Sequence, residues 1–248
     1  MAFRTSNPVF NSELFKKATV GGYAETTSGV MTYGGTVNKT IILFLITLFT
    51  SIYSWKLAMV GRGAGLLWVG LIGGFITALI TIFKIDWAHI TAPLYAAFEG
   101  LALGGISFAF EAFYHGIVLQ AVLLTFGVMF AMLVLYKFRV IRVTSGFVKW
   151  LLIATGGIAA YYLIGIILSL FHINITTQAL GGFGLVLQLF IVGIASLNFL
   201  LDFHNVEVGV ENGAPKQFEW YAAFGLMVTL IWLYLEMLRL LAILSNRQ

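Results

Sequence analysis

The sequence predicts an all-α membrane protein, a polytopic bundle of seven transmembrane helices. Composition and patterning both point there. Hydrophobic residues make up 60% of the chain and charged residues 10%, where a soluble domain carries about 25% charge. Mean hydropathy is +0.97, so too few polar residues remain to cover a water-facing surface. The apolar residues fall into seven runs, each near the roughly 20 residues that span a bilayer.

Residues 1–36 are rich in Ser, Thr, Asn and Gly and are expected to form a polar, flexible tail. The first apolar run begins near Val37, behind that tail, and no small-residue cleavage site follows it. It therefore reads as a true span rather than a signal peptide. The spans are expected at 37–60, 65–83, 92–111, 117–136, 148–171, 183–201 and 219–244, so that 37–248 forms one transmembrane domain. Lys56, near the end of the first, can snorkel to the interface. The second carries Gly70 and Gly74, and the third Gly100 and Gly104, a spacing that lets helix backbones approach closely in lipid. "GRGAG" at 61–65, "DWAHITAP" at 86–93, "FYHG" at 113–116, "KFRVIRVTSG" at 137–146 and "HINITTQALGG" at 172–182 separate the runs. The longest connection is "DFHNVEVGVENGAPKQFEW" at 202–220, whose Glu207, Glu211 and Glu219 read as members of a solvated loop.

With the N-terminus cytoplasmic, ten Lys and Arg fall inside and four outside. That asymmetry predicts N-terminus in and C-terminus out. The net charge of +4 does not suggest nucleic acid, because the basic residues are not clustered. With no cysteine there is no disulfide framework and no thiolate metal site. No phosphate loop, dinucleotide fingerprint, HExxH or Ser–His arrangement is present, so neither an enzyme nor a bound cofactor is expected. The expected partner is the lipid bilayer.

Ionisable residues inside spans are then the functional candidates. Glu236 lies deep in the last run, Asp202 ends the sixth and Glu99 sits in the third. Asn198 precedes Asp202 by four residues and Gln188 by fourteen, giving the sixth span a polar stripe. Arg239 is three residues from Glu236 and can touch it. Two readings follow. In one, Arg239 neutralises Glu236 and the pair serves packing. In the other, Arg239 snorkels outward and Glu236 meets Asp202, the two carboxylates sharing a proton and titrating as a unit. The second is the expectation adopted here. A proton would then bias the spacing of two helices, and the ionised pair would offer hard oxygens to Ca²⁺. His204, two residues from Asp202, can tune the pair near neutral pH, though it also reads as an ordinary loop histidine.

"LNFLLDFHNVE" at 197–207, followed by "EWYAAFGLMVTLIWLYLEMLRLL" at 219–241, resembles the transmembrane Bax-inhibitor-motif family. "RTSNPVF" at 4–10 and "GAPKQFEWYAAFG" at 213–225 resemble its bacterial branch, which implies the inner membrane. The resemblance implies six helices around the seventh and a pH-sensitive calcium leak, or Ca²⁺/H⁺ exchange, in which two acids act as sensor and latch. Carried over, these acids are Asp202 and Glu236, with "LYLE" at 233–236 where the family has an aspartate. The second span lacks the acid that the family often has there, and Glu99 is the candidate to stand in. The alternative it implies is a non-transporting regulatory protein that binds a membrane quality-control protease.

Overall fold

The structure, a computed structural model, describes residues 29–172 and 181–246. Thr32 caps the first helix, α1 (Tyr33–Met59), by accepting the Gly35 N–H on its hydroxyl at 3.0 Å. Gly61, at φ 75°, turns the chain into α2 (Ala64–Phe83). A short 3₁₀ turn at Ile85–Trp87 leads into α3 (Ala88–Phe113). Gly116, at φ 80°, opens α4 (Ile117–Lys137), and Thr144 caps α5 (Ser145–Ser169) through the Phe147 N–H. Next come α6 (Gly181–Glu211) and α7 (Phe218–Ser245). All seven are long and apolar enough to cross a membrane. Among the described residues there is no strand, only an isolated bridge between Val30 and Pro215.

The flexible tail expected over 1–36 lies, for residues 1–28, outside the described residues, and α1 starts at Tyr33 rather than Val37. The larger difference is in α6, which continues to Glu211 and takes in half of the expected loop. Its polar letters hide a helical period: Leu201, Asn205, Val206 and Gly209 are all buried. The helix stops where Gly213 adopts φ 65° and Pro215 follows, leaving a turn at 212–217.

The chain divides into two compact units. One holds α4, α5, α6 up to Phe203 and α7 from Thr229. Its apolar core is Leu151, Ile158, Ile191, Ile194 and Leu201, with Trp232 packed against it. The other holds α1 to α3, the stretch His204–Val228 and the turn within it. In this unit α3 packs on α1 and α2 through the glycines. Cβ atoms at Gly100 and Gly104 would collide with the α1 backbone at Thr47 and Ser51, and one at Gly70 with the α3 backbone at Phe98 and Ala102. Hydroxyls reinforce the close approach. Ser54 Oγ donates to the Leu101 carbonyl at 2.7 Å, and Thr47 Oγ1 to the Ala96 carbonyl at 3.1 Å.

The least buried helices present apolar faces, such as Phe49, Phe75, Phe130 and Ile153, each at least 65% exposed. A surface like this suits hydrocarbon rather than water. The two most buried helices are α6 and α7, and these carry Asp202 and Glu236.

Candidate functional site: the buried carboxylates of the last two helices

Glu236 is 0% exposed on α7 and accepts from four side chains. The Tyr162 hydroxyl, from α5, lies 2.8 Å from each of its oxygens. Gln188 Nε2, from α6, donates to Oε2 at 2.8 Å and also to the Glu236 backbone carbonyl at 3.0 Å. From its own helix, Trp232 Nε1 donates to Oε1 at 3.0 Å and Arg239 Nη1 to the same oxygen at 2.9 Å. Trp232 precedes Glu236 by one turn and Arg239 follows it by one, so helical spacing alone brings both to the carboxylate. The Arg239 guanidinium also lies 4.7 Å from the Tyr162 ring centroid, within cation–π range. A buried charge is tolerated where it is paired and hydrogen-bonded, and Glu236 is both.

Asp202 is less enclosed. It is partly exposed, and its Oδ2 accepts one hydrogen bond, from the buried Thr229 hydroxyl of α7 at 2.6 Å. Thr229 and Glu236 are seven residues apart on α7, about 10 Å along the axis. Asp202 therefore docks two turns before Glu236.

The geometry corrects the pairing expected from the sequence. Asp202 and Glu236 do not hydrogen-bond to each other; each has its own partners on a different turn of α7. Nor does Arg239 turn outward: it stays on Glu236, with its side chain 38% exposed. The polar stripe of α6 is real but divided. Gln188 and Asp202 address α7, while Asn198 Nδ2 donates to Thr155 Oγ1 of α5 at 3.0 Å and to the Ile194 carbonyl.

The remaining candidates lie elsewhere. His204 is on a helix rather than in a loop, and two residues on a helix turn it about 200° from Asp202. Its Nδ1 is 3.9 Å from Glu207 Oε2. Glu99 belongs to the other unit and packs its carboxyl against Gly74, where a Cβ would sit 2.8 Å from Oε1. No described residue hydrogen-bonds to it. Glu219, read as part of a solvated loop, is 0% exposed and bound to Thr32 and Lys39. Three partners escaped the sequence reading: Tyr162, Trp232 and Thr229. Trp232 had a visible signal in its one-turn spacing from Glu236, but Tyr162 had none.

Among the described residues no group of three or more His, Asp or Glu converges on a point that would hold a resident metal. The donor pattern separates the two acids chemically. Every oxygen of Glu236 is already engaged, whereas among the described residues none donates to Asp202 Oδ1, which can take a proton, water or a cation.

A family model described as Bax inhibitor 1 like matches residues 7–246. Comparison with curated proteins and with solved structures gave no match.

Proposed function

The chain belongs to the Bax inhibitor 1 like family and is an integral membrane protein, and on that premise we propose that it is a pH-sensitive cation leak, or cation/proton exchanger, with Ca²⁺ as its cargo. The observation that carries the reading is Asp202, a partly exposed carboxylate on a helix long and apolar enough to span a membrane, whose one hydrogen-bond donor among the described residues is the Thr229 hydroxyl. An ionisable group in a span is costly and marks an ion or proton path. Ca²⁺ prefers hard oxygen ligands, and Asp202, unlike Glu236, has a carboxylate oxygen that accepts no hydrogen bond from the described residues. No catalytic chemistry and no resident cofactor enter this reading.

The control is electrostatic. With a proton on it, Asp202 is neutral and the site offers a cation little. Once ionised, the carboxylate draws water and cations toward α6 and α7. Glu236 takes a different part from the proton-sharing one expected of it. Held by Arg239, Tyr162, Gln188 and Trp232, it anchors α5, α6 and α7 to one another. The proposed setting is a bacterial inner membrane with the N-terminus cytoplasmic, in keeping with the distribution of Lys and Arg.

The test is Ca²⁺ flux into proteoliposomes across a pH series spanning neutrality, for the parent and Asp202→Asn. A pH-dependent flux in the parent that is flat in the variant supports the reading. Absence of flux from a well-folded parent overturns it, and a regulatory role through a membrane protease then becomes the reading to pursue.

A further inference from the structure

The turn between α6 and α7 is fastened on two sides. On one side Gln217 Nε2 donates to Asp86 Oδ1 at 2.8 Å, tying it to the connection before α3. On the other lies the segment 29–32, just ahead of α1. The Met31 N–H donates to the Ala214 carbonyl at 2.8 Å and the Lys216 N–H to the Gly29 carbonyl at 3.0 Å, framing the antiparallel bridge between Val30 and Pro215. Met31 is buried at 3% exposure against Gly209, whereas Val30 is 61% exposed. Two backbone bonds and one buried side chain make a thin attachment.

What secures it is Glu219, buried at the start of α7. Its Oε1 accepts from both the Thr32 N–H at 2.9 Å and the Thr32 hydroxyl at 3.0 Å, and its Oε2 pairs with Lys39 Nζ. The carboxylate sits over Gly35, where any Cβ would collide with it. Lys39 in turn lies 5.6 Å from the Trp220 ring centroid. The carboxylate of one helix thus occupies the positive N-terminal end of another, where an anion is favoured.

We infer that residues 29–32 form a releasable strap, locked onto the α6–α7 turn by the Glu219 carboxylate, so that whatever engages the chain ahead of α1 acts on the turn joining its two most buried helices. The strap is a conformational device distinct from the Asp202 site and independent of whether Ca²⁺ is the cargo.

The chain has no cysteine, so paired cysteines report the strap without background. Val30 and Pro215 form a non-hydrogen-bonded antiparallel pair, with Cα atoms at about 4.5 Å, within disulfide range. In membranes, Val30→Cys with Pro215→Cys is expected to cross-link rapidly under mild oxidation. Adding Glu219→Gln sets an amide N–H₂ against Lys39 or Thr32 and takes the negative charge out of the bonds that remain. Cross-linking is expected to slow by about tenfold. Asp86→Cys with Gln217→Cys, on the far side of the turn and bridged by a short bis-thiol-reactive linker that spans two side chains, controls for folding and is expected to keep its rate. An unchanged Val30/Pro215 rate in Glu219→Gln overturns the proposal. Should both pairs fail in that variant, Thr32→Val decides: a slower strap with an intact control pair supports the lock, and an unchanged strap refutes it.

Discussion

The Tyr162 hydroxyl lies 2.8 Å from both oxygens of Glu236, a contact between residues 74 apart in sequence that joins α5 to α7. Gln188 brings α6 to the same carboxylate. Yet these donors are neutral, and among the described residues only Arg239 supplies countercharge to Glu236. Removing it leaves a fully buried carboxylate with three neutral donors. Removing the carboxylate instead leaves a guanidinium that is 38% exposed and can turn toward the interface. Arg239→Leu is therefore expected to destabilise by on the order of 3 kcal/mol, and Glu236→Gln by roughly half as much. Thermal unfolding in detergent measures both, and the reverse order would show that Arg239 is not what balances Glu236.

Thr229 is the one described side chain that hydrogen-bonds to Asp202, at 2.6 Å. Thr229→Val keeps the shape and removes the hydroxyl. The expected cost is about 1 kcal/mol, the lower end for an acceptor losing its donor, because Asp202 is partly exposed and can recruit water. Thr229→Ser retains the bond and is expected to match the parent in both stability and the pH profile of flux. Equal behaviour of the two substitutions in the pH profile would show that the hydroxyl does not set the properties of Asp202.

The glycines inside the helices differ sharply in what surrounds them. At Gly70 a Cβ would lie 2.5 Å from the Ala102 nitrogen and 2.6 Å from the Phe98 carbonyl oxygen, both backbone atoms that cannot rotate aside. Gly127, inside α4 of the other unit, has nothing within 4 Å of that position. Gly70→Ala is expected to cost about 1–3 kcal/mol by overpacking, and Gly127→Ala to stabilise by up to about 1 kcal/mol through helix propensity. Thermal midpoints that move the same way for both would contradict the close packing of α2 on α3.

The spans were legible because a bilayer demands length and apolarity together, and few sequences have both by accident. The paired glycines were legible for a related reason: small residues at one-turn spacing favour close helix contact. The end of α6 was not, since polarity suggested a loop while the burial of Leu201, Asn205, Val206 and Gly209 followed a helical period. In the site, Arg239 could be read from its spacing, and Gln188 and Asp202 from the stripe on α6. The register between α6 and α7 could not. A short connection makes two helices neighbours without saying which turns face each other, and a difference of two turns parts Asp202 from Glu236. Tyr162 lay hidden because a tyrosine in an aromatic-rich apolar run looks like any packing residue.

That separation yields the most discriminating functional prediction. If the two acids shared one proton, neutralising either would remove the same pH step. With separate partners they are expected to differ. Asp202→Asn fixes the site in its neutral form, so Ca²⁺ flux should stay at the parent's low-pH level while the parent's flux rises as pH increases. Glu236→Gln leaves Asp202 and Thr229 intact, so the step should persist near the same pH, with altered amplitude as the anchor among α5, α6 and α7 loosens. The double substitution Glu236→Gln with Arg239→Gln removes the buried pair together and should retain the step as well. The measurement is flux against pH in proteoliposomes for all three variants, normalised to folded protein. A step abolished equally by Asp202→Asn and Glu236→Gln would mean that the two carboxylates meet in a conformation other than this one.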